Sequence, residues 1–310
     1  MMDLKNCKIV MYHYVRPIKN SLDPKIKGLE IEGFKKQIEY FSKKFRFISA
    51  EEVIESIYNN KTLSQNSILL TFDDGFNDHY SHVFPILKKN NIQGIFFPPA
   101  EPIMNNKVLD VHKIHFILAR YENENEIIKE IFNFISDNKE KFNLKEPKKY
   151  FSELAISNRF DTKETIFIKR ILQRELPKKV RNELTDRLFN KIVKNESNFA
   201  NEFYLTFEQI DEMKDEGMFF GSHGYKHEWF THLGENDLDM EMAKSLEFLA
   251  KIKQDVKTIC YPYGNFDDRV ISKIKKYDYK IGFTTEVGDA NLTKEDAFKL
   301  KRYDTNDFPQ

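Results

Sequence analysis

A chain of 310 residues with 49 Lys plus Arg against 49 Asp plus Glu carries no formal net charge. That balance argues against a nucleic-acid binder, which needs a basic stripe to neutralise phosphates. The length fits one barrel with an insertion or two modest domains, and 40% apolar residues, with 28 Phe and 14 Tyr beside a single Trp, are enough for an aromatic-rich core.

The N-terminal residues show no long apolar run and no small-residue cleavage site, so they do not read as a signal peptide. No stretch approaches the length needed to cross a bilayer. A soluble, cytoplasmic protein is the expectation. Residues 8–14 (KIVMYHY) have the length and character of a strand. Residues 31–45 place Phe34, Ile38, Phe41 and Phe45 at helical spacing. A brief strand at 47–48 precedes a helix at 50–58 that Ser49 can cap. Residues 67–72 (SILLTF) form a clear strand, 80–90 a helix and 92–98 another strand. Repeated strand–helix units imply a parallel sheet buried on both faces.

From about 111 to 201 the signal is helical almost throughout, rich in Lys, Glu and Asn. Pro177 starts one of these helices where its missing N–H costs nothing. The strand–helix rhythm then resumes: a helix over 206–216 ended by Gly217, strands at 218–222, 257–261, 279–285 and 298–303, and helices over 237–252 and 267–276. About eight strands result. The expected fold is a distorted seven- to eight-stranded β/α barrel of residues 1–100 and 203–310, with residues 101–202 as a helical insertion and candidate cap over the active-site face. An open doubly wound sheet is the alternative, but the chain lacks a Gly-rich nucleotide loop. Cys7 and Cys260, each in an expected strand, read as reduced core residues.

Chemistry-bearing residues gather at strand ends. His13 follows the first strand, Asp73-Asp74-Gly75 follows SILLTF, His223 follows MFFGS, and Pro262-Tyr263 follows TICY. A β/α barrel brings all C-terminal strand ends to one face. Two adjacent carboxylates there repel unless a divalent cation holds one ionised, leaving the other to take a proton. The bland alternative is a helix N-cap with a spare acid. His223 and His227 lie four apart; on a helical turn they share a face and can bind one metal, although a solvated pair has the same spacing. With Asp74 they make a two-His-one-carboxylate set that leaves positions for water and substrate. His79 and His82 read as surface residues. His112, His115 and His232 are weaker candidates for contact with the site.

Thr71-Phe72-Asp73-Asp74-Gly75, Ser222-His223-Gly224-Tyr225-Lys226-His227 and Tyr261-Pro262-Tyr263-Gly264 together resemble the polysaccharide deacetylase family, also called the NodB-homology or carbohydrate esterase 4 family. The leading Met11-Tyr12-His13-Tyr14-Val15 resembles members acting on poly-N-acetylglucosamine. The resemblance covers residues 1–100 and 203 to about 304. It implies that Asp73 is the catalytic base, that Asp74, His223 and His227 hold one divalent metal, usually zinc, and that Pro262 and Tyr263 line the acetyl pocket, with the Tyr263 backbone N–H near the oxyanion. The implied partner is an acetylated sugar, as a surface-glycan precursor or a polysaccharide. Rival readings are a hydrolase of another C–N amide or of an O-acetyl ester, and a metal-containing sugar-binding protein without turnover.

The chain departs from the family pattern twice. Many members carry an Arg, paired with the catalytic Asp, where this chain has Cys260; Arg302, near the last strand and grouped with Pro262 and Tyr263 around the substrate, is the candidate replacement. The family's C-terminal catalytic His is also missing, since no His follows His232. His13 is therefore the expected general acid.

Overall fold

The computed structural model describes residues 6–64, 66–157 and 161–310. The chain divides into two compact units, residues 1–17, 28–107 and 200–310 in one and 18–27 and 108–199 in the other.

Among the described residues, the first unit is built on nine strands: β1 (Asn6–Tyr12), β2 (Arg46–Phe47), β3 (Ser67–Asp73), β4 (Gly94–Phe97), β5 (Phe219–Phe220), β6 (Thr258–Cys260), β7 (Ile281–Phe283), β8 (Ala290–Asn291) and β9 (Tyr303–Asp304). All seven residues of β3 are buried. That is why its sequence is nearly unbroken in apolar residues, as a central parallel strand covered on both faces requires. Seven strands form one sheet in the order β5-β4-β3-β1-β8, with β2 also on β3 and β9 also on β1; β6 and β7 pair separately. Every pairing is parallel except that of β1 with β8.

The regular ladders stop short of a continuous closed barrel. Parallel single bridges, Ser222↔Ile259 and Phe283↔Leu300, join the two sheets, and β9 returns to β1. The α/β, barrel-like fold expected from the sequence is present, but its second half is stitched by isolated hydrogen bonds such as Cys260 N to Ser222 O (2.9 Å) and Thr284 N to Leu300 O (2.9 Å). The expected strand at 298–303 shrinks to one bridge and β9. The antiparallel β8 is too short to leave a periodic signal.

Register explains where the polar residues go. Tyr12, Phe72, Phe96 and Phe220 are direct partners across β1, β3, β4 and β5. Their rings stack in sequence at 5.0, 4.8 and 5.5 Å. Phe34, from the helix Ile31–Lys44, meets Tyr12 edge-on at 5.2 Å, so this aromatic row is the helix-facing side. Side chains alternate along a strand, and Thr71 and Asp73 consequently face the opposite side. Helix starts follow their caps: Ser49 and Thr206 each complete a capping box, with Glu52 and Gln209.

The second unit is helical, with helices Asp110–Arg120, Glu124–Phe142, Pro147–Leu154, Lys163–Arg170 and Lys178–Ile192. Arg120 forks onto both carboxylate oxygens of Asp23, which ties residues 18–27 into this unit. Sequence periodicity does not reveal that association, because it spans almost a hundred positions. Among the described residues no helix is long and apolar enough to cross a membrane.

Candidate active site

Asp73 ends β3 and is 1% exposed. Arg302, also 1% exposed, grips it with both arms: Nη1 to Oδ1 at 2.8 Å and Nη2 to Oδ2 at 2.8 Å. The rest of the guanidinium is also bonded. Nε donates to Thr284 O (2.8 Å), Nη1 to Thr71 Oγ1 (3.1 Å) and Nη2 reaches Cys260 Sγ (3.0 Å). Arg302 is thus placed as the partner of Asp73, with its donors turned inward. Burial pushes the Asp73 carboxyl up, but the guanidinium, helped by the nearby His223 and His13, overcomes it and holds the group at about 2. Cys260 lies 3.4 Å from Asp73 Oδ2, and burial pushes its thiol far above the ordinary range, so it remains protonated.

Asp74 follows with φ 73°, a left-handed turn that breaks strand alternation, and both aspartates bring a carboxylate oxygen within 4.8 Å of a His223 ring nitrogen. Gly75 continues the turn at φ 63°, and a Cβ there would sit 2.4 Å from Pro98 Cβ. Asp74 Oδ1 lies 3.7 Å from His223 Nε2 and 3.6 Å from His227 Nε2. The two Nε2 atoms are 3.2 Å apart. Bonds of ~2.0–2.2 Å to a tetrahedral ion set donor atoms roughly 3.3 Å apart, so this donor set fits a divalent cation. His223 Nδ1 pairs with Cys260 O at 2.8 Å; a ring N–H given to a carbonyl there leaves Nε2 as the lone-pair nitrogen. Burial pushes the His223 imidazole down, which favours the neutral, ligating form.

The two histidines do not share a helix face. Residues 223–227 form a loop in which Gly224 (φ 74°) and His227 (φ 56°) are left-handed. What holds the loop is Glu241, 1% exposed, on the helix Glu235–Lys251. It accepts the N–H of Tyr225 at 2.7 Å and that of Lys226 at 3.0 Å. Burial pushes the Glu241 carboxyl up to about 7, against the pull of those N–H groups. A sequence signal existed: Glu241 interrupts the buried stripe of Leu238, Met242, Ser245 and Leu249.

His13 lies just past β1, with Nε2 3.9 Å from Asp73 Oδ2 and its side chain 43% exposed. Tyr12 and Tyr14 turn elsewhere, Tyr12 to Gln37 and Tyr14 onto the Phe76 ring. The surface expectation for His79 fails. It is fully buried among Phe72, Phe76 and Phe96, and its Nε2 meets the His13 carbonyl at 2.8 Å. A π-helical turn, His79–Val83, points it inward, and nothing in the spacing of these residues announces that turn. Pro262 is buried, and Tyr263 adopts φ 58° with its ring against His227 at 4.5 Å. Trp229 stacks on Tyr263 at 4.3 Å and exposed His232 stacks on Trp229 at 5.7 Å. His82 is partly exposed, and His112 and His115 belong to the helical unit.

The polysaccharide deacetylase family profile matches residues 60–133 and 154–282. Asp73, Asp74, His223, His227, Cys260, Pro262 and Tyr263 lie inside the matched ranges, while His13 and Arg302 lie outside them. The Bacillus subtilis polysaccharide-deacetylase homologue YxkH is 32% identical over 89 residues, which are 28% of this chain and 32% of that relative's length. Among solved structures, a Streptococcus pyogenes deacetylase, PplD, in complex with acetate superposes with TM-score 0.59 at 18% identity, over 96% of this chain and 92% of that one. IcaB from Ammonifex degensii gives 0.56 at 18% identity, over 96% and 90%. At such identities these two likenesses concern the fold.

Proposed function

From the premise that this chain belongs to the polysaccharide deacetylase family, we propose that it is a metal-dependent hydrolase removing the N-acetyl group of an amino sugar. One observation carries the reading: a buried carboxylate held ionised by Arg302 adjoins a two-His-one-carboxylate donor set. Asp74, His223 and His227 would hold the divalent ion, zinc in the family's usual case. The chemistry such an ion supplies is acidification of water and polarisation of the amide carbonyl.

The chain's own residues divide the remaining work. A carboxylate held at about 2 is always ionised near neutrality but is a weak base, so Asp73 orients water and takes its proton only as the water oxygen bonds to the carbonyl carbon. Arg302 keeps that carboxylate in one orientation through two parallel bonds. His13 faces the same carboxylate from the open side of the site. It gives a proton to the nitrogen as the C–N bond breaks, since an amide anion is a very poor leaving group. Pro262 and Tyr263 form the acetyl side, with the Tyr263 N–H directed to the carbonyl oxygen. The products are acetate and a free amino sugar.

Acetate release from nucleotide-linked N-acetyl sugars, chitin oligomers, O-acetyl sugars and simple amides, with and without zinc, tests the reading. Zinc-dependent release from an N-acetyl sugar is expected, abolished in Asp73→Asn with zinc content unchanged. Release confined to esters or non-sugar amides, or binding of sugars without any release, would overturn it.

A further inference from the structure

Among the described residues, the backbone hydrogen bonds of the segment between the two candidate ligands run to residues outside it. Gly224 N donates to Ser222 Oγ (3.1 Å), and Gly224 O accepts from Ala100 N (3.1 Å). Tyr225 O accepts from Glu101 N (2.9 Å). The remaining N–H groups, of Tyr225 and Lys226, both go to the Glu241 carboxylate. None of these bonds runs between residues of the His223–His227 loop. The loop's shape is imposed from outside, and a single side chain supplies two of the contacts.

Gly224 is fitted to the same carboxylate. Its φ of 74° suits glycine, and a Cβ there would come within 3.2 Å of Glu241 Oε2. The acid and the Phe230 ring, whose Cζ would lie 3.1 Å from that Cβ, together fill the space that a side chain at residue 224 would need. Burying a carboxylate without a cation is costly unless hydrogen bonds satisfy it, and Glu241 sits where no Lys or Arg nitrogen pairs with it among the described ion pairs. The hydrogen bonds that satisfy it come from the segment joining His223 to His227.

We propose that Glu241 is a positioning residue for the metal centre: by binding the Tyr225 and Lys226 N–H groups it presets the separation of the two imidazoles before any ion arrives. The inference rests on the metal-site reading above. Outer-shell groups that orient ligands typically govern affinity by about 10–100-fold, and a preset loop avoids ordering cost at the moment of binding.

The test is zinc affinity of the full-length, metal-stripped protein, measured by competition with a chromogenic chelator, for wild type, Glu241→Ala and Glu241→Gln. Glu241→Ala should weaken zinc about 10–100-fold. Glu241→Gln keeps the volume and one acceptor oxygen but turns an amide N–H toward one of the backbone donors, so its loss should be smaller. It also carries the test if the Ala variant does not fold. A role limited to fold stability would lower the melting temperature of the metal-free variants while leaving zinc affinity within threefold of wild type, and that result would overturn the proposal. Wild-type protein that takes up no equivalent of zinc would sink the metal-site reading and this inference together; variants at wild-type affinity sink this inference alone.

Discussion

Arg302 decides the protonation of Asp73. Take the guanidinium away and burial, which by itself drives the carboxyl upward, is unopposed by its strongest partner. In Arg302→Met the group protonates at a higher pH, so the acid limb of the kcat/KM profile should move up and activity near neutrality should fall by more than about 100-fold, with partial recovery as pH rises. Arg302→Lys should fall between the two, since it keeps charge without the two-armed grip. An unmoved acid limb in Arg302→Met would show that Asp73 does not control it. The sign for stability follows from the lowered carboxyl. The pair contributes fully above the ordinary aspartate value of 3.8 and loses its contribution as pH falls toward about 2.

The assignment of His13 makes a different demand. His13→Gln should retain zinc and lose about two to four orders of magnitude on an amide. An activated acetyl ester should suffer much less, because its leaving group needs no proton. Equal loss on both substrates would remove His13 from the role. Convergence of strand ends makes these candidates legible in the residues, whereas attention to Arg302 comes from the family resemblance, through the Cys at residue 260 where many members carry an Arg. The sequence could not show that His79 reaches the His13 carbonyl, because that contact depends on a π turn and a buried aromatic cluster.

Among the elements, β3 was legible because burial on both faces leaves a continuous apolar run ending in the two aspartates. The loop from His223 to His227 was not. Spacing of four suggests a helical turn, whereas two left-handed residues and the Glu241 carboxylate produce the same closeness by another route. Short strands such as β8 and β9 owe their existence to partners far away in the chain. The turn after β3 tolerates little. Gly75→Ala adds a Cβ 2.4 Å from Pro98 Cβ at a φ of 63°. Left-handed strain of about 1–2 kcal/mol plus overpacking of about 1–3 kcal/mol should lower unfolding free energy by roughly 2–5 kcal/mol, measured by urea titration, and weaken zinc with it. A change below about 1 kcal/mol would mean that β4 and its following residues yield more easily than the packing suggests.

At the scale of the whole molecule, an ion bound only by the folded chain adds stability by mass action. Saturating zinc at a thousand times its dissociation constant should contribute about 4 kcal/mol and raise the melting temperature, and a chelator should reverse the shift. Unchanged melting with and without chelator, in protein shown to hold zinc, would mean that the unfolded chain binds the ion as tightly as the folded one.

The bond between Arg302 and Asp73 joins positions 229 residues apart. Chains leave the ribosome vectorially, at about 5–20 residues per second, so the aspartate waits roughly 10–45 s for its cation. Until then any collapse that excludes water around it favours the protonated acid. The helical unit, drawn mostly from residues 108–199, emerges during that interval and can settle on its local contacts. The Asp73–Arg302 pair therefore assembles only after the helical unit has emerged, with β9 beside β1.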